Sequence, residues 1–331
     1  MKLIIPMAGM GKRMRPHTLT VPKPLIKIAG KPIVQRLAEE ITKVIDSKVD
    51  EIAFIIGDFG EEVETSLLNI AQNLGSNGKI YYQNEALGTA HAVYCAADSL
   101  NEKVIIAFAD TLFKANFRLN EETDSVIWTK KVENPEAFGV VKKNNSNIIT
   151  DFIEKPKKFV SDEAIIGIYY FNSGETLRNE LKFLIDNNIR GNNEFQLTDA
   201  LERLKENGLI FKTETVNEWL DCGNKDATVY TNQRILHHLE NYIGTKAEIN
   251  NSVIIEPCYI GEGVKLSDSV IGPYVSIDKN SVIKNSVIKN SMIQENAYII
   301  RKVIENSMIG NNIEIIGKSE DLSIGDYNIC K

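Results

Sequence analysis

The first 110 residues alternate short apolar runs with segments whose apolar residues recur every three or four positions. Runs of the first kind predict buried strands, and segments of the second kind predict amphipathic helices. The predicted strands are residues 3–5, 51–56, 79–83 and 104–109. The predicted helices are residues 32–45, 60–74 and the alanine-rich segment 88–100. This alternation predicts an α/β fold with a parallel sheet covered by helices on both faces.

From about residue 124 the alternation weakens and strands dominate. Strands are predicted at residues 125–128, 138–141, 148–153 and 164–171. A helix is expected to begin at Asn193, and another to follow Asp221 and to run on to about Tyr242. We therefore expect a sub-region at about 124–222 to flank the first half, so that the domain contains a Rossmann-like mixed sheet with helices on both faces.

The tail, from about Ile249, has a different pattern because it repeats a short phrase. Serine followed by Val-Ile or Met-Ile begins at residues 252, 269, 281, 286, 291 and 307. Repeats this short predict stacked coils of a β-solenoid, each burying its aliphatic face against its neighbours. The irregular spacing around residues 297–302 suggests a corner loop or a break in the stack. The predicted domains are thus residues 1–242 and 243–331.

The loop after the first strand is built for close backbone approach, since it contains Gly9 and Gly11. Bare N–H groups near two glycines form an anion-binding concavity. Four cations follow within a dozen residues, namely Lys12, Arg13, Arg15 and Lys23. Two common phosphate motifs do not fit, because Arg13 stands where the P-loop needs Ser or Thr and Met14 stands where the dinucleotide fingerprint needs glycine. The loop therefore predicts phosphate binding of another kind.

Polar residues also stand at predicted strand ends, where ligands sit in open α/β sheets. Gln83 ends one strand, and its amide can pair with a base edge while Gly88 allows close approach. On spacing alone, a solvated strand end and a helix cap explain these two residues equally well.

Asp110 follows a buried strand, so its charge needs a partner. Mg2+ is a natural one, since it is commonly bound by one or two carboxylates together with substrate phosphates. The alternative is that Asp110 caps the next turn. Asp221, between a strand and a helix, is the second candidate carboxylate.

Composition excludes several classes of protein. Hydrophobic residues make up 43% and charged residues 25% of 331, as in an ordinary globular protein. A formal net charge of −7 argues against broad nucleic-acid binding. The cysteines lie far apart, at Cys95, Cys222, Cys258 and Cys330, so a zinc site is not expected. The chain has neither a secretory signal pattern nor an apolar stretch of about 18 residues. We therefore expect a cytoplasmic protein without a membrane or nucleic-acid partner.

The N-terminal loop resembles the signature of sugar-1-phosphate nucleotidyltransferases, in which Gly-x-Gly-x-Arg is followed by Pro-Lys-Pro. Pro6-Met7-Ala8 and Lys12 depart from the commoner Leu-Ala-Gly and Thr. The pattern Pro-x-Ala-Gly is closer to the bacterial UTP-glucose-1-phosphate uridylyltransferases. The resemblance implies roles for the following residues. Ala8, Gly9 and Gly11 would bind nucleotide; Arg13 and Lys23 would contact phosphate; Gln83, Gly88 and Thr89 would bind the base; Asp110 and Asp221 would bind Mg2+.

Two later segments, Phe138-Gly139-Val140-Val141 and Phe152-Ile153-Glu154-Lys155-Pro156, resemble the sugar-phosphate region of the same family. The resemblance implies that Gly139 admits the sugar ring and that Glu154 accepts hydrogen bonds from its hydroxyls. Lys155 would neutralise and orient the sugar phosphate. The sequence Glu-Lys-Pro alone is a common surface turn.

The tail resembles the left-handed hexapeptide β-helix often attached to these enzymes. Bifunctional relatives use a tail histidine in acetylation, whereas the sequence has no histidine after His238. We therefore expect an assembly module that makes a homo-oligomer, and disfavour an acyltransferase.

The function predicted from the sequence is transfer of a nucleoside monophosphate from a triphosphate, with dTTP or UTP favoured, to a hexose-1-phosphate, with glucose-1-phosphate favoured. Mannose-1-phosphate guanylyltransferase activity is an alternative. A second alternative is a non-catalytic regulatory subunit that binds a sugar nucleotide.

Overall fold

The structure is a computed structural model that describes residues 1–191 and 193–327, so Cys330 lies outside the described residues. The chain divides into two compact units. The first unit contains residues 1–26 and 31–224, and the second contains residues 27–30 and the chain from residue 225 onward. No described helix combines the length and the apolar character needed to cross a membrane.

The strands up to residue 224 are β1 (Lys2–Pro6), β2 (Lys27–Ile28), β3 (Lys31–Pro32), β4 (Glu51–Ile56), β5 (Asn77–Tyr82), β6 (Val104–Ala107), β7 (Thr111–Lys114), β8 (Ser125–Lys131), β9 (Gly139–Lys143), β10 (Ile149–Glu154), β11 (Glu163–Phe171), β12 (Phe211–Thr215) and β13 (Glu218–Asp221). The helices in the same part of the chain are α1 (Ile33–Val44), α2 (Glu61–Asn73), α3 (Thr89–Tyr94), α4 (Gly174–Asp186) and α5 (Leu197–Glu206).

The main sheet of the first unit is mixed, which confirms the predicted fold class. Its order is β10-β9-β11-β6-β1-β4-β5, and β8 pairs with both β11 and β12. Strands β6, β1, β4 and β5 are parallel, whereas β11 runs antiparallel to β6. Because β4 and β6 lie on opposite sides of β1, the strand order reverses there. This reversal is the switch point at which ligands bind in open α/β sheets.

Helices cover both faces of this sheet because its strands are apolar on both sides. Ile4, Ile55 and Ile106 belong to one buried cluster with residues of α3, α4 and α5. Leu3 and Phe54 point to the opposite face by strand alternation and are also fully buried. Helix α1 packs against β7, and α2 packs against β4 and β5.

Several elements differ from the sequence-based prediction. The alanine-rich helix ends at Tyr94 rather than residue 100. Beyond it, the Ser99 hydroxyl hydrogen-bonds with Glu51 and Tyr81, so tertiary contacts outweigh the helical propensity of this segment. Strand β6 ends at Ala107, and the predicted helix start at Asn193 is found at Leu197. The sequence analysis missed α4, β7 and β12.

The second unit consists mainly of a solenoid preceded by helix α6 (Lys225–His238). Its strands are β14 (Tyr242–Ile243), β15 (Glu248–Asn250), β16 (Val253–Ile254), β17 (Cys258–Ile260), β18 (Lys265–Ser267), β19 (Val270–Ile271), β20 (Val275–Ile277), β21 (Val282–Lys284), β22 (Val287–Lys289), β23 (Met292–Ile293), β24 (Tyr298–Ile300), β25 (Val303–Glu305), β26 (Met308–Ile309) and β27 (Glu314–Ile316). They form three parallel sheets, ordered β14-β17-β20-β23-β26, β15-β18-β21-β24-β27 and β16-β19-β22-β25. This arrangement is a parallel β-helix, consistent with the left-handed form that the resemblance implies.

The repeated Asn-Ser-Val-Ile phrase has a direct structural reason. Asn285 adopts the left-handed conformation at a corner, with φ of 48°, which asparagine tolerates better than most residues. The next residue, Ser286, donates to the Lys284 carbonyl and accepts from the Lys302 N–H of the next coil. The Ser269 hydroxyl makes the equivalent contacts one coil earlier, and the Ser252 hydroxyl makes them two coils earlier. Serine thus satisfies corner backbone groups that would otherwise be buried without partners.

The irregular spacing at residues 297–302 is not a break in the stack. The serine ladder advances by 17 residues between Ser252 and Ser269, but by 16 between Ser286 and Lys302. Strand β24 stays paired with β21 and β27 across this change. The shorter coil loses one residue without losing strand register.

Candidate active site

A cleft of ≈ 280 Å³ lies in the first unit, where the strand order reverses. This volume is close to the lower end of small-molecule sites, about 300 Å³. Eight residues predicted for the site line the cleft: Ala8, Gly9, Gly11, Lys23, Gln83, Gly88, Thr89 and Asp110. They come from the loop after β1, the β5–α3 connection and the end of β6. The fold therefore gathers residues that the sequence analysis selected at three separate places.

The glycine loop after β1 is shaped to leave its backbone accessible. A Cβ atom at Gly9 would meet no atom within 4 Å, so this part of the loop faces open space. Gly11 has φ of 55°, and its carbonyl accepts a hydrogen bond of 2.9 Å from the Thr18 hydroxyl. The following turn, Lys12–Met14, buries Met14 and leaves Arg13 exposed. The loop thus presents backbone and a cation without covering them with apolar side chains.

Asp110 has a cationic partner in the described structure. Its carboxylate accepts a hydrogen bond of 2.8 Å from the ammonium of Lys23, and their side chains are 39% and 12% exposed. An ion pair at this partial exposure is screened less than one on the open surface. The pair places a positive and a negative group at the wall of the cleft.

Asp221 is brought to Asp110 by strand pairing rather than by sequence proximity. Strands β7 and β13 pair antiparallel, with Asp221 opposite Thr111. Just past this pair, the Cys222 N–H donates to the Asp110 carbonyl at 2.9 Å. Asp110 immediately precedes β7 and Asp221 ends β13. The pairing of these two strands therefore brings the two predicted carboxylates to the same end of the small sheet.

The electrostatics around Asp221 show that four predicted residues converge. Burial, and after it the negative charge of Asp110, raise the pKa of the Asp221 carboxyl above its ordinary value. The Gly223 N–H, which donates to Asp221 at 2.9 Å, and the charges of Lys23 and Arg13 oppose this rise. A Cβ at Gly223 would lie 3.3 Å from the Arg13 guanidinium. Two carboxylates and two cations thus share one neighbourhood.

The donor set suits Mg2+ better than a metal that needs a cage of protein ligands. Within residues 1–191 and 193–327, no group of three or more His, Cys, Asp or Glu side chains could hold a metal ion. Mg2+ commonly uses one or two carboxylates and takes its remaining ligands from water and substrate phosphates. Asp110 and Asp221 meet that requirement, and the raised pKa of Asp221 marks a place where a further positive charge would be stabilising.

Gln83, Gly88 and Thr89 are held by contacts of their own. The Gln83 amide donates to the Gly88 carbonyl at 3.2 Å and lies 3.2 Å from the ring nitrogen of His91. Gly88 has φ of 117°, and a Cβ there would lie 2.5 Å from the Phe195 carbonyl. The Thr89 hydroxyl accepts from the Leu197 N–H at 2.9 Å, at the start of α5. Gly88 is therefore required by backbone packing, and Thr89 has a structural role in addition to lining the cleft.

The residues predicted for the sugar phosphate gather in a second cluster. Gly139 pairs with Glu154 across β9 and β10, and a Cβ on Gly139 would lie 3.0 Å from the Glu154 carboxylate. Lys155 follows in a left-handed conformation, 65% exposed, with its ammonium 3.5 Å from Glu154. None of these three residues lines the cleft described above.

Two models of known families match the chain. The nucleotidyl transferase family model matches residues 2–238. This chain belongs to that family. A model of the GlmU-like C-terminal hexapeptide matches residues 240–303. The resemblance stated from the N-terminal loop and from the tail is therefore confirmed.

Relatives of known name support the same assignment. The bifunctional protein GlmU of Methanococcus maripaludis (strain C5) is 32% identical over 76% of this chain, and the match covers 59% of that protein. The glucose-1-phosphate thymidylyltransferase of Streptomyces antibioticus is 30% identical over 85% of this chain and 83% of its own length. The chain therefore spans about three fifths of the first relative and most of the second.

One solved structure, UDP-glucose pyrophosphorylase complexed with UDP-glucose, covers 72% of this chain and 99% of its own with a TM-score of 0.59. At 22% identity, this likeness shows the fold alone.

The structure also adds residues to the cleft that the sequence analysis did not select. Ala86, Phe108 and Glu194 line it. Phe108 lies two residues before Asp110, so its place at a strand end was a usable signal. Glu194 reaches the cleft because the Phe195 N–H donates to the Leu87 carbonyl, a contact between distant segments that no local pattern indicates.

Proposed function

We propose that this chain transfers a nucleoside monophosphate from a nucleoside triphosphate to a sugar-1-phosphate and releases pyrophosphate. The observation that carries this proposal is the Lys23–Asp110 ion pair at the cleft wall, with Asp221 and Arg13 beside it. A site that only bound a neutral sugar would not need two carboxylates and two cations together. Membership of the nucleotidyl transferase family supports the same reaction class.

In the proposed reaction, an oxygen of the sugar-1-phosphate attacks the α-phosphorus of the triphosphate. A new P–O bond forms, the bond from the α-phosphorus to the bridging oxygen of the β-phosphate breaks, and that oxygen keeps the electron pair in the leaving pyrophosphate. The nucleophile is already an anion, so no general base is required. The protein must hold two anions in line and offset their repulsion.

The chain's own cations perform that task. The loop of Gly9 and Gly11 would bind triphosphate oxygens through its N–H groups. Lys23 would move from its contact with Asp110 to the phosphates, which are the stronger anions, and Arg13 would contact phosphate oxygens in a fork geometry. Asp110 and Asp221 would hold Mg2+, which supplies charge neutralisation at the phosphates when bound.

The second cluster would hold the other substrate. Glu154 would accept hydrogen bonds from sugar hydroxyls, and Gly139 would admit the ring because it has no side chain. The exposed ammonium of Lys155 would bind and orient the attacking phosphate. Nucleotide and sugar phosphate would then bind at different strands of the same unit.

For the substrates, we propose dTTP or UTP with glucose-1-phosphate. The Gln83 side-chain oxygen would accept from the ring N–H of uracil or thymine. Its side-chain nitrogen would exchange its contacts with the Gly88 carbonyl and His91 for a carbonyl of the base. The thymidylyltransferase relative from Streptomyces antibioticus, matched over most of its length, supports this choice. The β-helix would serve assembly into a homo-oligomer.

A pyrophosphate-release panel tests the proposal. Four triphosphates would be combined with glucose-, mannose-, galactose- and N-acetylglucosamine-1-phosphate, with and without Mg2+. We expect the largest Mg2+-dependent rate with dTTP or UTP and glucose-1-phosphate. If pyrophosphate release is fastest with GTP and mannose-1-phosphate, the result supports the guanylyltransferase alternative instead. Absence of pyrophosphate from all combinations would refute the enzyme and favour a binding subunit.

Asp110→Asn tests the carboxylate directly. We expect the rate of pyrophosphate release to fall about 10³-fold. The substitution removes several kcal/mol of charge stabilisation, and each loss of about 1.4 kcal/mol lowers a rate tenfold. Asp186→Asn is the matched control, because Asp186 is a 55% exposed carboxylate that forms an ion pair with Lys182 on the surface of α4. Near-normal turnover of Asp110→Asn would exclude the proposed role.

A further inference from the structure

Glu194 adds a carboxylate to the wall of the cleft in the first unit, besides that of Asp110. The residue is exposed, and Gln83 and Gly88 line the same cleft. A carboxylate beside the phosphates of a nucleotide would be unfavourable, because like charges a few Å apart repel. We therefore expect Glu194 to face a part of the nucleotide other than its phosphates.

Backbone hydrogen bonds fix the position of Glu194. The next residue, Phe195, is only 3% exposed. Its N–H donates to the Leu87 carbonyl at 2.8 Å, and its carbonyl accepts from the Ala90 N–H at 2.8 Å. These bonds hold the segment across Gly88, where a Cβ would lie 3.0 Å from the Glu194 Cβ. Glu194 is thus held beside the segment that carries the proposed base contacts.

A chain of side-chain hydrogen bonds orients the carboxylate. The Thr89 hydroxyl accepts from the Leu197 N–H at 2.9 Å and donates to the Gln196 side-chain oxygen at 3.5 Å. The Gln196 side-chain nitrogen then donates to a Glu194 oxygen at 3.2 Å. A carboxylate has about four acceptor sites on its two oxygens, so this contact leaves acceptor sites for a ligand.

Hydrogen-bond chemistry selects the nucleotide group that fits these sites. Carboxylate oxygens accept and do not donate, so they match neither phosphate oxygens nor the carbonyl oxygens of uracil and thymine. The ring N–H of these bases is the partner proposed for Gln83. The hydroxyls of the ribose remain. The ribose adjoins the base, as Glu194 adjoins the Gly88 backbone that Gln83 contacts.

We propose that Glu194 accepts hydrogen bonds from the ribose hydroxyls of the bound nucleotide and thereby selects ribonucleotides over 2′-deoxyribonucleotides. An acidic residue binds the ribose 2′-hydroxyl in the same way in dinucleotide-binding folds. The inference rests on the proposed function for the class of substrate. Of the two triphosphates proposed there, it favours UTP over dTTP, because dTTP lacks the 2′-hydroxyl.

UTP and dUTP differ only at the 2′-hydroxyl, so the ratio of their kcat/KM values isolates this contact. With glucose-1-phosphate, we expect the kcat/KM for pyrophosphate release by the wild type to be about 10- to 100-fold higher with UTP than with dUTP. This is the range for one hydrogen bond to a charged group. Glu194→Ala should lower the ratio to about one. A ratio near one in the wild type, or an unchanged ratio in Glu194→Ala, would overturn the proposal.

Two further variants separate the contact from general effects. Glu194→Gln has nearly the same shape and keeps one acceptor oxygen, so it should give an intermediate ratio even if Glu194→Ala does not fold. Glu85→Ala is the matched control, because Glu85 is an exposed carboxylate of the same β5–α3 connection and does not line the cleft. It removes an equal charge and should leave the ratio of UTP to dUTP unchanged. An equal fall in Glu85→Ala would show an effect of charge alone and would contradict the proposal.

CTP distinguishes a contact with the ribose from a contact with the base. Its exocyclic amino group is a donor at the position where uracil has a carbonyl acceptor. We expect Glu194→Ala to leave the ratio of kcat/KM for UTP to that for CTP unchanged. If this ratio changed while the ratio of UTP to dUTP did not, Glu194 would bind the base, and the proposal would be wrong.

Binding without turnover separates this inference from the proposed function. Calorimetric titration with UTP and with dUTP, in Mg2+ and without sugar phosphate, needs no reaction. We expect UTP to bind the wild type about 10- to 100-fold more tightly than dUTP, and both to bind Glu194→Ala alike. If this preference is found but no substrate pair releases pyrophosphate, the proposed function fails and the ribose contact stands. If pyrophosphate is released but UTP and dUTP bind the wild type alike, the ribose contact alone fails.

Discussion

In the first unit the decisive contacts join residues far apart in sequence, whereas in the solenoid they join residues one coil apart. Lys23 and Asp110 are 87 positions apart, and Thr89 and Leu197 are 108 apart. Ser269 and Ser252 are 17 apart, and Ser286 and Lys302 are 16 apart. The two regions thus satisfy the same physical requirements, paired polar groups and filled interiors, over very different sequence distances.

The difference determines how each region should respond to substitution. A coil of the solenoid contacts mainly its neighbours, so the stability of the solenoid is approximately a sum of local terms. In the first unit, one residue can hold several distant segments in place, and its substitution should destabilise all of them. The two tryptophans, Trp128 and Trp219, both lie in the first unit, so their fluorescence reports the unfolding of that unit.

Among the substitutions that test this difference between the two units, Gly88→Ala should lower the free energy of unfolding most. A Cβ there meets the Phe195 backbone at 2.5 Å and 2.7 Å, and φ is 117°. We expect the free energy of unfolding, followed by tryptophan fluorescence in denaturant, to fall by about 2–4 kcal/mol. Gly208→Ala is the matched control, because it has φ of 95° but no atom within 4 Å of its Cβ. An equal loss in both would mean that backbone strain, and not the long-range contact, sets the cost.

Ser286→Ala tests whether the solenoid responds locally. The hydroxyl is buried and bonds to the Lys284 carbonyl at 2.8 Å and the Lys302 N–H at 3.1 Å. We expect the free energy of unfolding of the solenoid, followed by the circular dichroism of its strands, to fall by about 2 kcal/mol. The unfolding transition followed by tryptophan fluorescence should not change. Ser307→Ala removes a single bond at a more exposed site and should cost less. A shifted tryptophan transition in Ser286→Ala would break the comparison.

Asn285 should show the smallest effect, because only backbone conformation is at stake. Asn285 has φ of 48°, so Asn285→Ala is expected to lower the free energy of unfolding by about 1 kcal/mol. Asn285→Gly should leave it nearly unchanged. Thermal unfolding of both variants measures the difference. If glycine proved as costly as alanine, the Asn285 side chain would have to contribute contacts beyond its conformational tolerance.

Local patterns in the sequence predicted much of the molecule. The glycine loop, the Asn-Ser-Val-Ile coils and the alternating strands and helices each carry their information within a few residues or one repeat. Eight of the residues selected for the site line one cleft. The same local reasoning missed β7, since its four residues are too few to show a periodicity. It also extended α3 to residue 100, where contacts with Glu51 and Tyr81 prevail.

The sequence alone determined that a glycine-rich loop followed by cations, two strand-end carboxylates and a solenoid are present, because glycine, charge and repeat spacing act over short distances. Only the tertiary structure decided that Asp110 and Asp221 meet, since their meeting depends on the pairing of β7 with β13. It likewise decided that residues 27–30 join the solenoid. Such pairings are selected by the packing of the whole unit, and no stretch of neighbouring residues contains that information.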